Sequence, residues 1–103
     1  MNLSDHTLLF TVTDRFSITG RGTVVVPGVP WKGVPSVKRG DPLILRTPNG
    51  EIIETAIEDV ERIMGARIEA FPVLLPSSIQ KSDVPIGTEV FLRTTAPALS
   101  KDR

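Results

Sequence analysis

The hydrophobic positions of this chain fall in short runs that are rich in β-branched and aromatic side chains. Glycine, proline and asparagine separate these runs. Short runs with such boundaries are typical of β-strands rather than helices. The strands predicted in this way lie at residues 7–13, 20–26, 41–47, 51–55, 71–75 and 89–94.

The connections between these runs carry their own signals. Residues 17–20 predict a hairpin-like connection, and residues 76–86 predict a loop with one short helical turn. The alternating prolines and glycines of residues 27–40 exclude helix and leave room for a short edge strand at most. Asn49-Gly50, which follows Pro48, is the strongest turn signal, because both residues tolerate the positive φ of a type I′ hairpin turn.

One segment, residues 55–70, supports two interpretations. Strand-like alternation over residues 53–57 predicts a long strand to about Asp59, followed by a strand or a turn near Gly65. A helix is the alternative, because apolar residues also recur at roughly helical spacing. These residues are Ile57, Val60, Ile63, Met64 and Ile68.

Six predicted strands in a chain of 103 residues indicate a single all-β domain. Short strands with Gly/Pro turns favour a closed sheet or barrel, since closure removes exposed sheet edges. We expect this domain over residues 7–95, between a flexible N-terminus at residues 1–6 and a flexible C-terminal tail at residues 96–103.

Composition excludes several kinds of function. The chain has no cysteine, so disulfides, thiolate metal sites and cysteine nucleophiles are excluded. No apolar run approaches the roughly 20 residues that a membrane span needs, and the polar N-terminus does not resemble a secretory signal. We therefore expect a cytoplasmic protein with no membrane partner.

The net charge is zero, which argues against a general nucleic-acid binder, but the charges are unevenly distributed. Residues 15–46 contain one acid, Asp41, against six basic residues, whereas residues 51–69 contain six acids and two arginines. This division predicts either a dipolar surface with one basic face or ordinary solvated strand faces. The six basic residues are Arg15, Arg21, Lys32, Lys38, Arg39 and Arg46.

The residues that commonly carry catalysis form no recognisable set here. His6 is the only histidine, and we interpret it as exposed and inert, because a general base needs orienting partners. Three acids, Glu58, Asp59 and Glu61, fit a solvated face better than a shaped metal site. No base motif accompanies the serines of the 76–86 loop, Ser77, Ser78 and Ser82. We therefore expect neither an enzyme nor a protein with a metal or cofactor.

The stretch from Val12 to Val25 contains an acidic residue, Asp14, then Phe16, then the run Gly20-Arg21-Gly22-Thr-Val-Val. This order closely resembles the opening of the second domain of elongation factor Tu and related translational GTPases. Looser similarity at residues 37–41, 57–58 and 84–90 extends the resemblance over about residues 8–92. Two departures are a loop at residues 33–40 that is longer by about two residues and a missing glycine-rich approach at residues 69–72.

The resemblance implies a closed six- to seven-stranded Greek-key barrel. In that family the glycine loop faces ribosomal RNA, and nearby residues meet the end of aminoacyl-tRNA. Asp14, Phe16 and Arg21, with Gly20 and Gly22 beside Arg21, are therefore candidate contacts for ribosomal RNA, tRNA or a protein. The alternative is that Phe16 belongs to the core and Arg21 only caps the turn. The chain contains no P-loop, so we expect no GTP binding.

Trp31 and Lys32 form the second candidate site. Trp31 is the only tryptophan and lies in the proline- and glycine-rich stretch. An exposed Trp31 would stack on a base or anchor a protein contact, whereas a buried one would close an end of the barrel. The sequence thus favours a non-catalytic, translation-factor-like module that contacts RNA or the ribosome, with a protein-interaction or assembly module as the alternative. A small-molecule enzyme or binder is a weaker third interpretation, since no nucleophile–base or metal set is present.

Overall fold

The structure is a computed structural model that describes residues 3–61 and 69–94. Within these residues the chain forms eight strands and one short 3₁₀ turn at Lys81–Asp83. The strands are β1 (Thr7–Thr11), β2 (Asp14–Ile18), β3 (Gly22–Pro30), β4 (Pro42–Arg46), β5 (Ile52–Ala56), β6 (Asp59–Val60), β7 (Ala70–Leu75) and β8 (Glu89–Leu92).

The strands pair into two antiparallel sheets. Sheet A has the order β1-β8-β4-β5, and sheet B has the order β2-β3-β7-β6. The all-β prediction is therefore confirmed. The expected closed barrel is not found over the described residues, where the ladders form two four-stranded sheets and no single ring. Over residues 3–61 and 69–94, no helix has the length and apolar content that a membrane span requires.

The main core contains inward-facing side chains from both sheets. Leu43 and Leu45 of sheet A and Val25 and Val73 of sheet B are almost completely buried. Burial of one such side chain contributes roughly 1.5–3 kcal/mol, so this cluster dominates the stability of the fold. In the described part of the chain, every buried side-chain nitrogen or oxygen has a hydrogen-bond partner.

A smaller apolar cluster covers the outer face of sheet A. Ile44 lies between Leu43 and Leu45 in β4, so strand alternation points it away from the main core. Ile44 and Phe91 pack there with Leu3, which is 6% exposed. Leu3 belongs to the segment expected as a flexible N-terminus, and its burial attaches that segment to sheet A.

The structure corrects the prediction for residues 17–40 in two ways. Ser17 and Ile18 belong to β2 rather than to a connection, and β3 continues through Pro27 and Gly28 to Pro30. An irregularity in the β3–β7 register between Val25 and Val29 accommodates these two residues. Gly28 has a φ of +102°, and a Cβ there would overlap the backbone of Phe71, so only glycine fits this close approach.

The turn between β4 and β5 is present, but it is not type I′. The N–H of Gly50 donates to the carbonyl of Thr47 at 2.8 Å, which places Pro48 and Asn49 at the centre of the turn. A type I′ turn needs positive φ at both central residues, and proline cannot provide it. Among the residues of this turn, only Gly50 has a positive φ, +90°, as in a three-residue hairpin loop.

The predicted long strand to Asp59 is interrupted at Ile57 and Glu58. The N–H of Ile57 donates to the backbone carbonyl of Asp41 beside sheet A, whereas the N–H of Glu58 donates to the backbone carbonyl of Leu74 in sheet B. The chain therefore changes sheets at this corner, which ends β5 and begins β6. Residues 55–61 contain no helix. The helix and the strand or turn near Gly65 that were the two predictions for residues 62–68 lie outside the described residues. The short helical turn expected in the 76–86 loop is confirmed.

Candidate functional site

The β2–β3 hairpin carries Arg21 at its tip. The N–H of Arg21 donates to the carbonyl of Ile18 at 2.9 Å, and Gly20 supplies the positive φ of +80° that this tight turn requires. At Gly22 a Cβ would overlap the carbonyl oxygen of Leu75, so this glycine lets the hairpin lie against the end of β7. The Arg21 side chain remains 45% exposed.

An open groove of about 780 Å³ separates this hairpin from the loop after β7. We call it the hairpin groove. Three cationic side chains and several hydroxyl groups line it, and no acidic residue of the described chain does. The polar lining residues are Arg15, Ser17, Arg21, Thr23, Ser77, Gln80, Lys81 and Ser82. Such a lining suits an anion, because cations and hydroxyl groups can donate hydrogen bonds to it.

Hydrogen bonds hold both walls of the hairpin groove. Arg15 donates through Nε to the carbonyl of Val84 at 2.8 Å. Thr23 donates through Oγ1 to the carbonyl of Ile79 at 3.0 Å, which ties the loop to β3. Asp83 accepts the N–H of Gln80 at 2.9 Å, so its carboxylate is engaged within the loop.

The three cations differ in their partners. Arg21 forms an ion pair with Glu61, with 3.0 Å between Nη2 and Oε2. Among the described residues, the ion pairs include neither Arg15 nor Lys81. Arg21 also borders a smaller groove on its other side, where Arg39, Glu58 and Asp59 mix both signs of charge. Arg21 therefore lies on the ridge between a purely cationic groove and a mixed one.

Pairing within the fold removes most of the predicted charge division. Four of the six basic residues at 15–46 form ion pairs with acids: Arg21, Lys38, Arg39 and Arg46. These ion pairs place both signs of charge together, as ordinary solvated faces do. Of the two basic residues of that stretch that the ion pairs of the described chain leave out, Arg15 lines the hairpin groove and Lys32 lies outside it, and Lys81 adds a second unpaired cation to the groove.

Phe16 and Asp14 lie on β2 but do not line the hairpin groove. Phe16 is 49% exposed, so the interpretation that it fills the core is wrong. It lies opposite Val24 in the β2–β3 ladder, on the other face of β2 from Arg15 and Ser17. Asp14 accepts the N–H of Arg15 through Oδ1 at 2.8 Å.

Trp31 and Lys32 lie at the opposite end of β3 from the hairpin groove. Trp31 is 58% exposed, so it does not close an end of the fold. The ammonium group of Lys32 lies 4.7 Å from the centre of the Trp31 ring, within the range of a cation–π contact. A neighbouring pocket of about 210 Å³ is lined mainly by apolar side chains, including Val34, Val37 and Phe71. Since β3 has nine residues, about 25–30 Å separates this surface from the hairpin groove.

The remaining titratable candidates have structural roles. His6 is half-buried rather than exposed, and its Nδ1 accepts the N–H of Thr94 at 3.2 Å. Glu58 and Glu61 form ion pairs, and Asp59 accepts the N–H of Val60. No cluster that could hold a metal ion occurs within residues 3–61 and 69–94.

The structure thus brings Gly20, Arg21 and Gly22 together with residues that the sequence did not select. In the sequence, Arg15 is noticeable only as one of six basic residues of the 15–46 stretch. Ser77 and Ser82 are noticeable only as possible nucleophiles. Lys81 carries no local signal, because its position depends on the folding of the 76–86 loop against β2. The sequence shows that the hairpin and the 76–86 loop both contain basic residues, but it does not show that these residues meet in one groove.

The fold and the groove define a small, antiparallel, two-sheet domain with a cationic surface groove. No family model matches the chain, and neither a curated protein nor a solved structure is significantly similar to it.

Proposed function

We propose that this chain is a non-catalytic binding module that contacts RNA through the hairpin groove. The observation that carries this proposal is the convergence of Arg15, Arg21 and Lys81 in one groove without an acidic lining residue among the described ones. Phosphate groups dominate the affinity of proteins for nucleic acids, and arginine, lysine and serine are common phosphate contacts. A module of this kind needs no cofactor and no GTP, and we propose that it acts in the cytoplasm.

We also propose that the domain is related to the second domain of elongation factor Tu, with the two four-stranded sheets as the two halves of one closed Greek-key barrel. Two corners support this architecture, because the chain crosses there from one sheet to the other. At the first corner the N–H of Thr13 donates to the carbonyl of Val26 at 2.8 Å, between β1 and β2. The second corner lies at Ile57 and Glu58. The ribosomal RNA or tRNA contact follows from this relationship and from the exposed position of Arg21.

Fluorescence anisotropy with a labelled single-stranded RNA at low salt tests the RNA proposal. Lys81→Gln should weaken binding and lower the salt dependence of log K by about 0.7, the value for one phosphate contact of a single strand. Lys32→Gln is the matched control, since it removes one exposed lysine at the far end of β3. Undetectable binding at low salt, or equal losses in both variants, would refute the proposal.

A protein-interaction or assembly module is the second candidate, and the exposed Trp31 favours it. Exposed tryptophan beside an apolar pocket is typical of a hot spot in a protein interface. If this surface mediates assembly, sedimentation equilibrium should show concentration-dependent association that Trp31→Ala abolishes. A chain that stays monomeric at high concentration would exclude self-assembly through Trp31.

A further inference from the structure

We propose that the hairpin groove binds the phosphate backbone of RNA without reading bases, and that Glu61 competes with that backbone for Arg21. This inference rests on the RNA contact proposed above. It specifies that the phosphate backbone is the part of the RNA that is recognised. It also identifies Glu61 as a residue of this chain that lowers the affinity for RNA.

The lining of the hairpin groove supports backbone recognition. Its side chains offer guanidinium, ammonium and hydroxyl donors, and no aromatic side chain of the described chain is present among them. The exposed aromatic residues lie elsewhere, with Phe16 on the opposite face of β2 and Trp31 at the far end of β3. Phosphate contacts fix the position of a nucleic acid, whereas base-edge contacts or stacking read its sequence. Binding should therefore depend little on base identity.

The geometry of Glu61 makes it a competitor. The Glu61 backbone is held against sheet B, because its N–H donates to the carbonyl of Pro72 at 2.8 Å. Its carboxylate reaches Arg21 across from the hairpin, and the Glu61 side chain is 29% exposed. A carboxylate and a phosphate seek the same guanidinium donors. A ligand in the hairpin groove must therefore share Arg21 with Glu61 or displace Glu61.

The competition is weak enough for a ligand to overcome. Exposed ion pairs change an equilibrium by a factor of about 1.4–5, and this pair has one exposed and one partly buried partner. Arg15 is bonded to a neutral carbonyl group, and Lys81 belongs to none of the ion pairs of the described chain. Of the three cations, Arg21 is thus the one whose availability a single carboxylate controls.

The decisive variant is Glu61→Gln, which should increase affinity. Its matched control is Glu54→Gln in β5, which removes the same charge from the exposed side of the Arg93–Glu54 pair, where the nitrogen–oxygen distance is 3.9 Å. The probes are fluorescein-labelled oligouridylate and oligoadenylate of about twelve nucleotides, within the usual site size of single-strand binders. Compared with Glu54→Gln, Glu61→Gln should bind both probes more tightly by a factor of about 1.4–5.

A double-mutant cycle assigns the effect to Arg21. In an Arg21→Gln background, Glu61→Gln should gain no more affinity than Glu54→Gln does, because the contested guanidinium is absent. Glu61→Asp keeps the charge but shortens the side chain, so it should also tighten binding and serves as the second variant if Glu61→Gln unfolds. Urea denaturation of each variant verifies that the fold is intact.

The outcomes separate this inference from the function on which it rests. Binding by the wild type with equal affinities for Glu61→Gln and Glu54→Gln would overturn the competition and leave the RNA contact in place. A more than tenfold preference between the two probes would overturn backbone recognition. If neither the wild type nor Glu61→Gln binds either probe, the RNA contact itself is refuted.

Discussion

Gly28 provides the sharpest test of the described fold, because a Cβ added there would overlap the backbone of β7. Its φ is +102°, and an added Cβ would overlap the carbonyl group of Phe71 and approach the nitrogen of Pro72. These are backbone atoms of a paired strand, so they cannot move aside by changing a rotamer. Gly28→Ala therefore requires the two strands to separate or the local register to change.

The magnitude follows from comparison with Gly33, which has a similar φ of +89° but, among the described residues beyond its chain neighbours, no atom within 4 Å of the position that an alanine Cβ would occupy. The left-handed backbone costs alanine about 1–2 kcal/mol at either site. Overpacking against β7 adds about 1–3 kcal/mol at Gly28. Gly33→Ala should thus lower the free energy of unfolding by about 1–2 kcal/mol and Gly28→Ala by about 2–5 kcal/mol.

Urea denaturation followed by far-ultraviolet circular dichroism measures both variants, since Trp31 is too exposed to report on core unfolding by fluorescence. Each additional kcal/mol should also lower Tm by roughly 4–8 °C in a domain of this size. Equal stability of Gly28→Ala and Gly33→Ala would show that β3 does not pass against Phe71. The continuation of β3 through Pro27 would then be wrong.

Three further substitutions test other parts of the structure. Thr23→Val should lower the free energy of unfolding by about 1–3 kcal/mol, because it leaves the carbonyl of Ile79 without the hydrogen bond from the Thr23 hydroxyl. An unchanged urea midpoint would argue against that hydrogen bond. Trp31→Ala should change stability by less than about 0.5 kcal/mol, and wild-type Trp31 should be readily quenched by iodide, whereas a protected indole would contradict its exposure. Leu3→Ala should cost about 2–3 kcal/mol through lost packing on Phe91, and a neutral effect would show that the N-terminal segment is detached from sheet A.

Local residue patterns predict the strands that contribute to the core. The apolar runs at β4, β7 and β8 stand out because each buries several side chains, including Leu43, Leu75 and Val90. The same reasoning misses β2, which is an edge strand with mostly exposed side chains and a sequence of mixed polarity. A strand of that kind exists because β3 pairs with it, and that pairing leaves no periodic signal in its own sequence.

The prolines and glycines of residues 27–40 mislead for a related reason. Proline and glycine weaken a regular ladder, but an irregularity in the register can place both inside one strand. The β4–β5 turn shows the opposite case, where the turn is predicted correctly but its type is wrong. Pro48 fixes a negative φ, and that single constraint outweighs the preference of Asn49-Gly50 for type I′.

The hairpin groove depends on which charges the fold pairs, and a count of charges does not contain that information. Arg21 and Glu61 are separated by forty residues, and they meet because β6 pairs with β7, which in turn pairs with β3. Most basic residues of the 15–46 stretch form ion pairs with nearby acids, whereas Arg15 and Lys81 in the hairpin groove belong to none of the ion pairs of the described chain. The zero net charge therefore does not exclude an anion site. Affinity for a polyanion should accordingly depend more on whether Arg21 is paired with Glu61 than on the overall charge. Glu61→Gln and Glu54→Gln give the same net charge, and we expect only Glu61→Gln to raise the affinity for RNA.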